Sequence, residues 1–327
     1  MRSAPTTSMT VAAVAIVAAA ALAACGGASD SAALGSGSSG EEGTASIKVG
    51  YFPLVHTASA VNAQEEGLFA DEGLEVELVQ TAGGAQAIPS LMAGEFDITY
   101  TNYTSAILAA QQGLPLKIAA GNDVGAEDHA IMVNGDSPLR EPADLGGKTV
   151  AVNNLQNIGT VAVNAVLEDA GVDIETVNYI ELPYPDMQAA LDRGDVDAIW
   201  QVEPFQASAL AAGDRVLFEL FSGPVDDMPV AGWVTTTQFA QENSEAIDAF
   251  QRALGASVDQ LQDNRERLVE LVPTYTQVPI EVVEKVAIPA WNVTPDRAQL
   301  QKLADFMEKY GIIAEPFDVS TVLVESS

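Results

Sequence analysis

Cysteine is nearly missing from this chain. Its 327 residues include only Cys25, so no internal disulfide can form and stability must come from a hydrophobic core. Histidine is almost as scarce. His56 and His129 are the only two, and no cysteine follows position 25, so no metal site and no cofactor are expected. Basic residues are few as well: 14 Lys and Arg against 46 Asp and Glu leave a formal net charge of −32. So acidic a surface repels phosphate backbones and anionic headgroups, which excludes nucleic acid as an expected partner. The charge reads as a solvated surface that maintains solubility; the alternative is a field that attracts cations. Beyond residue 24 no apolar run is long enough for a membrane helix, and none is expected in the mature chain.

What is present starts with a short leader. Arg2 precedes Val11 to Ala24, a run of Ala, Val, Ile and Leu too short to remain as a bilayer-spanning helix. Leu22-Ala23-Ala24-Cys25, followed by Gly26-Gly27, resembles the lipobox of bacterial lipoproteins. That resemblance implies a signal peptide over 1–24, lipidation of Cys25, and a location outside the cytoplasm, anchored by lipid at the outer face of the cell membrane. The alternative is a secreted chain cleaved nearby with an incidental cysteine. Residues 25–45 are Gly, Ser and Ala with a few acids, and read as a flexible tether.

From Ser46 onward, short apolar runs alternate with helical stretches, the pattern of an α/β fold with largely parallel strands. Strands are predicted at Ile47 to Tyr51, Glu75 to Val79, Phe96 to Thr99 and Leu116 to Ala120. A second, similar unit opens near Asp144, with strands at Val177 to Leu182 and Asp197 to Trp200 and a helix from about Gly159 to Ala170 closed by Gly171. After a strand at Gly232 to Thr236 the chain is mainly helical. Thr294-Pro295 reads as the start of the last helix.

Four phrases carry a family resemblance: Phe69-Ala70-Asp71-Glu72-Gly73-Leu74-Glu75-Val76, Met92-Ala93-Gly94-Glu95-Phe96-Asp97, Asp144-Leu145-Gly146-Gly147-Lys148 and Leu191-Asp192-Arg193-Gly194-Asp195-Val196-Asp197-Ala198. In order, over roughly Ile47 to Gly311, they resemble the nitrate/sulfonate/taurine-type substrate-binding proteins of ABC importers and their thiamine-pyrimidine-synthase-like relatives. The resemblance implies a two-lobed type II periplasmic-binding-protein fold, each lobe a mixed, mostly parallel sheet flanked by helices, with ligand in the interlobe cleft. Lobe one would comprise 46–132 plus 232–327 and lobe two 133–231, with crossings near 130–134 and 229–233. The partners implied are a small-molecule ligand and the permease and ATPase subunits of an importer, and the receptor is expected to be a monomer.

Ligands of open α/β sheets sit beyond the carboxyl ends of the strands. That rule nominates Phe52, His56 and Thr57 in the first loop, Gly83 and Gly84 in the second, and Asn102 and Tyr103 in the third. It also nominates Asn154, Asn157, Gly159 and Thr160 at a helix start, Trp200 and Glu203 after a later strand, and Asp227 and Trp233 around the return crossing. His56-Thr57 resembles the His-Thr step of the pyrimidine-binding branch; the other reading is a histidine packed at a helix start. Phe52, Tyr103, Trp200 and Trp233 could form a stacking box, or could each be ordinary core. Glu203 could face ligand, or could be the acid that precedes Pro at a helix's first turn. None of these loops holds Lys or Arg, and the acids Glu203, Asp226 and Asp227 lie near, which points to a neutral or heterocyclic, pyrimidine-like compound. The alternative is an alkanesulfonate, taurine or nitrate held by helix N-termini and amides.

An enzyme is the less favoured reading. The pyrimidine synthases that share the resemblance carry a cysteine-rich segment, absent here, and a cofactor lysine that neither Lys48 nor Lys117 matches. The expectation is a receptor with no catalytic residues.

Overall fold

The computed structural model describes residues 44–324; the expected signal peptide, Cys25 and nearly all of the tether lie outside the described residues. Eleven strands are described: β1 Ala45–Tyr51, β2 Leu74–Gln80, β3 Ile98–Asn102, β4 Leu116–Val124, β5 His129–Val133, β6 Thr149–Val152, β7 Asn178–Glu181, β8 Ala198–Val202, β9 Arg215–Glu219, β10 Pro229–Thr236 and β11 Ala290–Trp291. They form two sheets, β11-β4-β10-β3-β1-β2 and β7-β6-β8-β5-β9. In the first, β1 runs parallel to β2 and β3, while β10 lies antiparallel between β3 and β4. The second has the same plan: β6 is parallel to β7 and β8, and β5 is antiparallel to β8 and β9. Among the described residues no helix is long and apolar enough to cross a membrane.

Local sequence explains these elements. In β2, Leu74 and Val76 are buried while Glu75 and Glu77 are exposed, the alternation of a strand with one wet face. Two of the repeated phrases do the same mechanical work in the two sheets. After helix Gly84–Met92, Gly94 takes φ +75°, and the Asp97 carboxylate accepts the Lys48 backbone N–H at 2.8 Å. After helix Tyr184–Asp192, Gly194 takes φ +71°, and Asp197 accepts the Thr149 N–H at 2.9 Å. Glycine ends each helix where a side chain would be strained, and the acid ties the returning chain to the first strand of its unit. Gly171, at φ +79°, likewise follows helix Ile158–Asp169.

Three expectations are corrected here. The chain leaves the first sheet between β4 and β5, over residues 125–128, and returns between β9 and β10, over 220–228. Both crossings precede the predicted 130–134 and 229–233. Those segments are strand, because a crossing strand in this fold is apolar enough to pair fully in the sheet it enters. β4 also runs four residues past Ala120, carrying the polar Asn122 and Asp123 into the interior. The last helix, Arg297–Lys309, is capped by Asp296, whose carboxylate accepts the N–H groups of Ala298 and Gln299; Thr294 lies two residues too early to reach them.

Candidate functional site

The loops at the carboxyl ends of β1, β3, β6 and β7 face one another between the two sheets. They enclose a cavity of about 340 Å³ lined among others by Phe52, Gly84, Asn102, Asn154, Asn157 and Tyr184. A narrower inner cavity of about 40 Å³ shares several of these residues and is floored by His56, Tyr100, His129 and Trp200. Among the described residues that line either cavity there is no Lys or Arg.

Three helix starts contribute to the wall. Gly83 precedes helix Gly84–Met92, and Gly84 packs so closely on β3 that an added Cβ would lie 2.7 Å from the Thr101 Cα. Asn102 caps helix Tyr103–Gln111 by accepting the Ser105 N–H at 2.8 Å. Asn157 caps helix Ile158–Asp169 and receives a hydrogen bond from the Thr104 hydroxyl at 3.3 Å, a link between the two sheets' units across the cleft. Asn153 steadies Asn157 by accepting its amide N–H at 2.7 Å.

Of the nominated residues, Phe52, His56, Gly83, Gly84, Asn102, Asn154, Asn157 and Trp200 line the cavities. The others do not. Thr57 is buried and its hydroxyl donates to the carbonyls of Phe52 and Leu54. Tyr103 is core at a helix start, with its hydroxyl against Gly232. Gly159 lies behind Trp200, where an added Cβ would be 2.1 Å from the indole, and Thr160 follows it into the interior. Trp233 is fully buried, its indole N–H donating to Asn122 and its ring edge-on to Tyr100 and Phe250. Asp227 is exposed on the return crossing, at φ +54°. The four-aromatic box therefore reduces to Phe52 and Trp200, joined by Tyr100 and Tyr184.

Glu203 is a structural acid. One carboxylate oxygen accepts the Ala207 N–H at 3.1 Å in the turn after Pro204, and the other accepts the Ala287 N–H at 3.0 Å. Burial pushes it up to about 7, only partly offset by those two amides. Between its ordinary value of 4.5 and about 7, the folded chain keeps a proton that the unfolded chain has released. Glu203's contribution to stability therefore falls as pH rises through that window. Urea denaturation of wild type and Glu203→Gln should show the wild type losing about 3 kcal/mol relative to the variant across it. A difference that stays flat would mean the two amides hold the carboxylate at its ordinary value.

Beneath the inner cavity lies a buried polar cluster that no sequence spacing advertised. His56 Nε2 is 2.7 Å from Asp128 Oδ2, with both side chains essentially inaccessible. The rings of His56 and His129 are 4.9 Å apart, and His129 stacks on Trp200 at 6.1 Å. Asp123 accepts hydrogen bonds through Oδ1 from Tyr100 and Asn122. Burial alone would lower His56, but the Asp128 and Asp123 carboxylates outweigh it and raise it above its ordinary value. Burial would raise Asp128, yet the neighbouring imidazoles lower it. Burial drives His129 down to about 3 and Asp123 up to about 6. Asp123 escaped the sequence reading because β4 was expected to stop at Ala120, and Asp128 because the first crossing was expected at 130–134. Tyr184 could have been found by extending the strand-end rule to β7.

Two mixed sheets joined by two crossings around an enclosed cleft define a two-lobed protein of the periplasmic-binding fold. The same fold is seen in the periplasmic aliphatic sulphonate binding protein SsuA of Escherichia coli, with a TM-score of 0.75 at 20% identity, covering 86% of this chain and 97% of that one. Residues 55–267 match the family described as NMT1/THI5 like, and the chain belongs to that family. Among curated relatives it is 23% identical to the formylaminopyrimidine-binding protein of Halalkalibacterium halodurans, over 71% of this chain and 70% of the relative. It is also 26% identical to the taurine-binding periplasmic protein of Escherichia coli, over 58% of this chain and 59% of that protein.

Proposed function

We propose that this protein is an extracytoplasmic solute receptor that captures a small neutral or heterocyclic, pyrimidine-like compound between its lobes and delivers it to an ABC importer. The lobes would be 44–124 with 229–324 and 129–219. The protein would act as a monomer, tethered by lipid on Cys25, with permease and ATPase subunits as partners. The observation that carries the reading is the lining itself: aromatic faces from Phe52, Tyr100, Tyr184 and Trp200, amides from Asn102, Asn153 and Asn157, and no basic side chain. A planar heterocycle stacks on such rings and exchanges hydrogen bonds with amides, which both donate and accept. About 340 Å³ lies at the small end of ligand sites, suited to a single ring system. The formylaminopyrimidine-binding relative supports this choice.

One observation favours a second reading within the same class. The starts of three helices, at Gly84, Tyr103 and Ile158, border the cavities, and helix N-termini bind oxyanions through free backbone N–H groups. The taurine-binding relative supports it. An enzyme reading has less support, since the cavity linings lack the lysine that a carbonyl cofactor would need.

Thermal unfolding of the chain from residue 44 with pyrimidines, taurine, alkanesulfonates and nitrate separates the readings. A ligand at a hundred times its Kd should add about 2.7 kcal/mol to stability. The expected result is a rise in Tm with aminopyrimidines, and a rise with the oxyanions alone would overturn the heterocycle reading.

A further inference from the structure

We infer that the floor of the cleft is a binding site for one divalent transition-metal ion, held by His56 Nε2, His129 Nε2 and Asp123 Oδ2, with Asp128 as fourth ligand. The inference does not depend on which solute the cleft takes.

The donor atoms already converge. One atom from each of His56, Asp123 and His129 lies within 4.8 Å of the others, and all three residues are buried. Asp123 Oδ2 and Asp128 Oδ2 are each 3.9 Å from His129 Nε2. Imidazole nitrogens and carboxylate oxygens bind zinc at about 2.0–2.2 Å, so gathering these atoms around one ion needs side-chain movements of up to about 1 Å.

Outside the His56–Asp128 pair, the atoms are also without other work. Asp123 Oδ2 and both ring nitrogens of His129 are buried and accept or donate no hydrogen bond, while Asp128 Oδ2 is engaged by His56 Nε2 at 2.7 Å. His129 is 2% exposed and Asp128 0%. Buried polar groups are nearly always satisfied, and a cluster of orphans that are all metal-ligand types, aimed at one point, is the exception that a bound ion explains. Two carboxylates also balance the charge of a divalent ion, so the loaded site would be neutral where solvent is excluded.

The donor set selects the kind of metal. Two imidazoles with two carboxylates suit zinc or a neighbouring late first-row ion; calcium and magnesium require a shell of oxygens that this site does not offer. Access is provided, because His56 and His129 both line the inner cavity. The position has a mechanical consequence. His56 follows β1 and Asp123 lies in β4 of the first sheet, whereas Asp128 ends the first crossing and His129 opens β5 of the second. An ion here would pin the two lobes together at their crossing and stiffen the pivot.

Dialysis of the chelator-stripped chain against Co2+ and Zn2+, with metal analysis and visible absorption, tests the site. The expected result is one equivalent of Co2+ with the intense visible bands of a four-coordinate nitrogen-oxygen site, displaced by Zn2+ and not by Mg2+ or Ca2+. Asp123→Asn and His129→Gln, each checked for native circular dichroism, should weaken Zn2+ binding by about ten- to a hundredfold or more. Asp123→Asn retains the acceptor for Tyr100, so it serves if His129→Gln does not fold. Weak, non-stoichiometric uptake without visible bands would assign the ions to the acidic surface and overturn the site. So would stoichiometric binding that is unchanged in a folded variant.

Discussion

In chelator-treated protein, Asp128→Asn is expected to lower the free energy of unfolding by about 3–5 kcal/mol, one of the largest losses available from a single atom exchange in this fold. The His56–Asp128 pair is 2.7 Å apart, with side-chain exposures of 1% and 0%. Each charge has surrendered its water, and their mutual attraction raises His56 above its ordinary value and lowers Asp128 below its own, against the burial that opposes both charged forms. Removing one member leaves the other uncompensated in a medium that solvates it poorly. The loss should therefore be largely recovered in the double variant His56→Gln/Asp128→Asn, which removes both charges together. Urea denaturation of wild type, both single variants and the double variant measures the coupling. Additive losses would mean that the two groups act independently. Because Asp128 ends the first crossing while His56 follows β1, the single variants should also loosen the pivot and weaken solute binding.

The second large effect is expected at Trp200. Its indole is 1% exposed, stacks on His129, meets Tyr184 edge-on at 5.5 Å and rests against Gly159. Trp200→Ala should cost about 3–5 kcal/mol and open the inner cavity into the space the ring leaves. Trp200→Phe keeps an aromatic face and should lose much less. Gly159→Ala tests the same contact from the other side: its Cβ would come within 2.1 Å of the ring, so the indole must move toward the cleft. About 1–3 kcal/mol of overpacking is expected there, with reduced solute affinity. Calorimetric melting with solute titration separates the two consequences. If Trp200→Ala melts near wild type and binds solute normally, the ring is not the wall described above.

Much of the fold was legible because its signals are local. The alternation in Glu75 to Val79, the glycines that end helices and the repeated helix–Gly–acid–strand phrases depend on neighbours a few residues away. The strand-end rule likewise put about half of its nominated residues on the cavity wall, since loop position follows from element order. It failed for Tyr103, Trp233 and Glu203 because residue type does not say which way a side chain turns. Trp233 alternates with Gly232 along β10, and the strand's register sends its indole to the core side, onto Asn122 and Phe250. Glu203 looked like a ligand contact until two backbone amides claimed both of its oxygens.

Sequence alone determined the acidic surface, the absence of disulfide support, the α/β alternation and the family phrases, because composition and short-range periodicity are properties of the chain before it folds. Tertiary structure alone decided where the chain changes sheets and that its only two histidines meet beside two buried acids. These residues come from the loop after β1, the end of β4, the first crossing and the start of β5, and nothing in their spacing couples them. Only the pairing of β4 with β10 and of β5 with β8 brings them to one point, and only burial there turns four common side chains into a site.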